Sequence, residues 1–220
     1  MPDLMPDLVI PGLTVPDPSL VDVEPNYVLP SGETGRILVG GIGLPWLRDL
    51  DYGTQWVNRV LDNDWPEHVI VEDLSYAAHR VLHRLQEVRP SKVVLVGCMP
   101  RGIGPPGTIR RYDLDLTPPP DEEVHERLTE AATGIIDLDH TLAVVRYYGE
   151  FPEDTVVIEV EPDDDSFGLG FSDAVEATVD KVLDLVKAEV TAGAAEPPTE
   201  FRSAEHPLLG SAPEDKRVES

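Results

Sequence analysis

The sequence predicts an α/β sandwich whose largely parallel sheet is covered by helices on both faces. Three observations predict it. Short apolar runs alternate with amphipathic stretches along most of the chain. The apolar runs are continuous rather than alternating, the pattern of strands buried on both sides. The 220 residues are enough for one domain with a sizeable core plus loose ends.

RILVGGI (36–42) reads as the first buried strand, and residues 53–62 place Trp56, Val57, Val60 and Leu61 at helical spacing. HVIVED (68–73) is a second strand, and Ser75 is positioned to cap a helix bearing Ala78, Leu82, Leu85 and Val88. KVVLVG (92–97) is a third buried strand, and TIRRYDLD (108–115) alternates as an edge strand does. TPPPDEE (117–123) breaks the pattern and then supplies acids suited to a helix start. A helix is expected over 133–148 through Ile136, Leu142, Val145 and Tyr148, then a strand in TVVIEVEP (155–162). Ser172 is expected to cap a long last helix with Val175, Val179, Val182, Val186 and Val190 on its inner face.

Two ends stand apart from this pattern. Residues 1–35 hold seven prolines, six acids and no Lys or Arg, with MPDL repeated at 1–4 and 5–8. They read as a disordered arm, and residues 192–220, rich in Ala, Pro, Glu and Ser, as a disordered tail. The domain is therefore expected over 36–191.

Acids outnumber bases 42 to 17, a formal net charge of −25. Such a surface repels nucleic acids and anionic membranes and suits a cationic partner or a metal ion. Cys98 is the single cysteine, so no intrachain disulfide forms. No apolar run approaches the roughly 20 residues of a membrane span, and the N-terminus lacks a basic leader. A cytoplasmic protein is expected.

In parallel α/β sheets the site lies at the carboxyl ends of the strands. That directs attention to Gly41–Asp51, Asp73–Ser75, Gly97–Arg101 and the turn after Val160. GIGLPW is a poor phosphate loop: Trp46 stands where a third glycine is needed, Pro45 lacks an N–H, and no GKS or GKT follows. Asp49 and Asp51 offer either helix N-terminal charge or hard oxygen ligands. His79 and His83 lie one turn apart, but Arg80 and Arg84 flank them and a pair does not complete a zinc site. Cys98 has no base near it in sequence to activate it. His140, in DLDHTL, is a further candidate ligand.

The order of segments resembles the nickel–iron hydrogenase maturation endopeptidases. Four stretches carry the resemblance: RILVGGIG with its D-x-D-Y-G loop (36–53), KVVLVGCMPRGIGPPGTIRRYDLD (92–115), LAVVRYYGEFPEDTVVIEVEPDD (142–164) and GLGFSDAVEATVDKVLDLV (168–186). The resemblance implies a three-layer αβα sandwich around a mostly parallel five-stranded sheet. It implies an endopeptidase that removes the C-terminal extension of a hydrogenase large-subunit precursor after nickel insertion. The nickel, carried by that substrate, is thought to be recognised by Glu or Asp, Asp and His of the protease, a donor set suited to a borderline divalent ion.

The sequence departs from the family at each of these positions, which become Leu50, Gly97 and Gly134, while the usual first-loop Asn becomes Leu44. Asp49 or Asp51, Cys98 and Asp137 are the nearest substitute ligands. His140 lies six residues, about 600° of helix, beyond Gly134 and so points elsewhere. Two functional readings follow from the resemblance. One is a processing protease with displaced ligands. The other is a non-catalytic member that binds or assembles a hydrogenase subunit.

Overall fold

The computed structural model describes residues 35–132 and 134–191. The expected arm, apart from Gly35, and the expected tail lie outside these residues. Five strands form one sheet: β1 (Ile37–Gly41), β2 (Val69–Asp73), β3 (Lys92–Cys98), β4 (Ile109–Asp113) and β5 (Asp154–Val160). Their order is β2-β1-β3-β5-β4, parallel throughout except that β4 runs antiparallel to β5. The central strands β1, β3 and β5 are the most continuous apolar runs and are the most buried. The alternating segment forms the β4 edge, as its pattern predicts.

Helices cover both faces. On one, α1 (Tyr52–Val60) and α6 (Val179–Thr191) bring Trp56, Val57, Val182, Val186 and Val190 against Val94, Val96, Ile158 and Val160. On the other, α2 (Ala78–Val88) and α4 (Leu138–Tyr147) bring Val81, Leu85, Leu138, Leu142 and Val145 against Leu38, Val93, Leu95 and Val157. This is the expected three-layer sandwich. Among the described residues, no helix is long and apolar enough to cross a membrane.

The glycines of the opening strand serve packing rather than phosphate. A Cβ on Gly53 would lie 2.1 Å from the Ile42 nitrogen, and one on Gly41 would lie 2.2 Å from the Gly53 oxygen. Only glycine at both positions lets α1 settle onto β1.

Four local expectations are corrected. Leu61 is exposed, just past the end of α1. Ser75 does not cap α2, which starts at Ala78 without a side-chain cap, and Val81 rather than Leu82 completes its buried face. The helix expected over 133–148 begins only at Leu138: Asp137 caps α4, and α3 (Asp121–Ala131), whose first turn carries the expected acids, ends before it. Ser172 does cap a helix, accepting the Val175 N–H, but that helix is the short α5 (Asp173–Glu176). Thr178 breaks the run there. Its hydroxyl donates to the Val175 carbonyl at 2.6 Å and lies 3.1 Å from the Tyr52 hydroxyl.

Candidate functional site at the carboxyl rim of the sheet

The loops after β1, β2, β3 and β5 meet at the carboxyl rim. The β1 loop passes through a 3-10 turn (Arg48–Asp51) that buries both of its aspartates. Asp49 is fully enclosed. Its Oδ2 accepts from Asp163 N at 3.0 Å, Asp164 N at 2.9 Å and Ser172 Oγ at 2.8 Å, and its Oδ1 accepts from Ser172 N at 2.7 Å. Four donors occupy this carboxylate, so it clamps the segment after β5 to the β1 loop.

Asp51 is different. It is only 4% exposed. Its Oδ2 takes one long bond from Gln55 Nε2 at 3.4 Å, and its Oδ1 has no hydrogen-bond partner. Burial pushes its carboxyl above the usual range. The neighbouring polar groups of Thr54, Trp46 and Gln55 oppose this, while repulsion from Asp73 adds to it. Asp73, at the end of β2, accepts the Ser75 N–H at 3.0 Å and the Ser75 hydroxyl. The Ser75 oxygen in turn accepts from Gly43 N at 3.1 Å and lies 2.7 Å from Thr54 Oγ1. Asp73 is thus joined through the Ser75 hydroxyl to Thr54, at the edge where β1 and β2 end. A cleft of about 220 Å³ opens beside it, lined by Asp73, Leu74, Tyr76, Arg80 and His83.

The third strand decides the fate of Cys98. Val94, Val96 and Cys98 face α1 and α6, while Val93 and Leu95 face α2 and α4. Strand side chains alternate, so Gly97 belongs to the second face and Cys98 to the first. Adjacent in sequence, the two positions are on opposite sides of the sheet. Cys98 is buried. Burial drives its thiol well above the usual range, with Asp49, Glu161 and Glu159 adding to the effect, so it remains protonated at neutral pH. Gly97 is roofed by α4. A Cβ there would sit 3.1 Å from the Ile42 oxygen and 3.2 Å from Leu138 Cδ2.

Beside Gly97 lies a buried charge cluster. Glu159 of β5 is its register partner. Arg101, from the loop after β3, makes two parallel bonds of 2.7 and 2.6 Å to Asp139 of α4, and reaches Glu159 at 3.1 Å. Arg110 and the Tyr112 hydroxyl also approach Glu159, at 3.4 and 3.2 Å. Two guanidiniums supply positive charge to this cluster, Arg101 held bidentately by Asp139 and Arg110 beside Glu159. Glu161 binds the same loop through the N–H groups of Arg101 and Gly102 at 3.2 and 2.8 Å.

The remaining candidates have local roles. Asp137 caps α4, accepting from His140 N at 2.8 Å. Burial raises its carboxyl, against the His140 N–H. The His140 ring places Nδ1 2.9 Å from the Arg127 carbonyl, which can only accept, so Nδ1 carries the proton. His79 and His83 stack edge to face on the exposed side of α2. Gly134 sits at φ +93° with open space around it, a turn position that a side chain would strain.

Among the described residues, no three His, Cys, Asp or Glu side chains are grouped to hold an ion. Asp49, Asp51, Cys98 and Asp137 therefore do not converge on one centre. Sequence reasoning missed the Arg101–Asp139–Glu159 cluster and the Asp73–Ser75–Thr54 chain. The signal for the first was Glu159, an acid inside the apolar run VVIEV.

No family model and no curated protein matches this sequence. Solved structures do match. An endopeptidase from Escherichia coli is 23% identical, with a TM-score of 0.55 over 73% of this chain and 95% of its own. The hydrogenase maturating endopeptidase HybD from E. coli is 24% identical, with a TM-score of 0.55 over 72% of this chain and 94% of its own. The [NiFe] hydrogenase maturation protease HycI from Thermococcus kodakarensis KOD1 is 17% identical, with a TM-score of 0.52 over 73% of this chain and 95% of its own. At these identities the likeness is one of fold.

Proposed function

We propose, from a fold shared with hydrogenase maturation endopeptidases, that this chain acts on the large-subunit precursor of a nickel–iron hydrogenase and hydrolyses its C-terminal extension. The observation that carries the reading is the extent of the match, 95% of the length of an E. coli endopeptidase. The order of the four resembling segments supports it.

In this reading nickel belongs to the client. This chain's own groups do not fit it as ligands: Gly97 is covered by Leu138, Gly134 occupies a left-handed turn, and Asp49 is saturated by four donors. No step is therefore assigned to the ion. What the rim offers a peptide bond is two acids, Asp73 lining the cleft and the buried Asp51. Asp51 holds its proton to higher pH than a free carboxyl, and so is the group suited to protonating a leaving amine. Asp73, held by Ser75, is the group suited to orienting a water.

A second reading, client binding without cleavage, rests on the same loss of donors at Leu50, Gly97 and Gly134. Deletion of the gene separates them from a function elsewhere. If the chain is the processing enzyme, the large subunit accumulates as the longer precursor, and the Asp51→Asn variant fails to restore its mature length. Restoration of mature length by Asp51→Asn and by an Asp51→Asn/Asp73→Asn variant alike assigns the chain to binding. A large subunit of normal mature length in the deletion strain overturns both.

A further inference from the structure

The β1 and β5 loops are zipped together at the rim. Leu47 and Gly168 form a parallel bridge. Gly168 N donates to the Trp46 carbonyl at 2.7 Å, and Arg48 N donates to the Gly168 carbonyl at 3.2 Å. Arg48 pairs with Asp164 at 3.4 Å, and the Asp49 clamp lies directly behind. The zipped loops present three large apolar side chains to solvent: Trp46 at 55%, Phe167 at 79% and Leu169 at 64% exposure. The Trp46 and Phe167 rings stack, with centroids 6.5 Å apart and planes 18° from parallel.

Two features separate this patch from incidental surface. Trp46 sits at φ +71° and Arg48 at φ +40°, left-handed conformations that are strained for bulky residues. At this backbone conformation the indole is 55% exposed. The exposed acids Asp163 and Asp165 lie two to four residues before Phe167 in sequence, in a chain of net charge −25. Apolar anchors on a strongly acidic chain match a segment that is itself apolar and carries Lys or Arg.

We propose that the Trp46–Phe167–Leu169 patch is the docking surface for an apolar, basic polypeptide segment. This deepens the functional reading above and rests on it for the segment's source, the hydrogenase precursor. The segment's apolar side chains cover the stacked rings, and its cations face Asp163 and Asp165. Recognition then comes from this surface rather than from metal donors of the chain.

Two arms test it with the full chain. In the first, an immobilised large-subunit precursor meets the wild type, a Trp46→Asn/Phe167→Ser variant and an Asp163→Lys/Asp165→Lys variant. Asn tolerates the left-handed backbone, so the first variant keeps the wild-type melting temperature or exceeds it. Each variant is expected to bind at least about tenfold more weakly. Wild-type binding with both variants unimpaired overturns the surface and leaves the client standing. In the second arm, labelled 12-residue peptides of apolar-basic, apolar-acidic and polar-basic composition are titrated by fluorescence anisotropy. Apolar-basic peptides are expected to bind best, and the charge-reversal variant is expected to prefer the apolar-acidic set. If the precursor does not bind, the client reading fails, and the peptide arm alone decides the surface: absence of an apolar-basic preference overturns it.

Discussion

Asp51 stands apart among the rim residues because it is buried without a full set of partners. Its folded pKa lies above its unfolded value of 3.8. The folded state therefore holds the proton more tightly, and stability falls as pH rises through the range above 3.8. Asp51→Asn removes this dependence. The variant is expected to be more stable than the wild type at pH 7, with the difference shrinking as pH falls toward 4, as read by urea denaturation across that range. Cys98 gives a second check at this scale. With its thiol enclosed and protonated, alkylation at pH 8 is expected to be at least about a hundredfold slower in the native protein than in urea, because it waits for opening. Fast native labelling would place Cys98 at the surface.

At the scale of elements, α4 and the loop after β3 are locked together by Arg101. Arg101, Asp139 and Glu159 side chains are 7%, 6% and 1% exposed. Arg101→Ala leaves two buried carboxylates with less counter-charge and is expected to cost about 3 kcal/mol in urea unfolding. Arg110 still reaches Glu159, which keeps the loss toward the lower end. The same roof crowds position 97. Gly97→Asp must displace Leu138 or the Ile42 carbonyl, at a cost of about 1–3 kcal/mol. A Gly97→Asp/Leu138→Ala double variant that recovers none of this loss would show that α4 is not the obstacle.

For the whole molecule, the layers were legible because buried parallel strands announce themselves as runs of Val, Ile and Leu. KVVLVG, RILVGGI and TVVIEVEP fall on β3, β1 and β5. The edge role of β4 was legible from alternation. The site was less so. Counting residues put Cys98 beside Gly97, but a strand sends neighbouring side chains to opposite faces, and only the packing says which face matters. A helix expected over 133–148 ran through Gly134, where the chain is a left-handed turn, and Asp137, offered as a substitute ligand, caps α4. The Asp49 clamp joins residues more than 110 positions apart, from Asp49 to Asp163 and Ser172, which no local pattern encodes. The Trp46 patch was missed for the same reason, since Phe167 reaches it from the far end of the domain.

The most direct measurement is the intact mass of a large-subunit precursor, nickel-loaded and retaining its extension, after incubation with the purified chain. The account predicts a shortened subunit and a released C-terminal peptide, with cleavage abolished by Asp51→Asn. An unchanged precursor mass, while an authentic maturation endopeptidase shortens the same preparation, would contradict it.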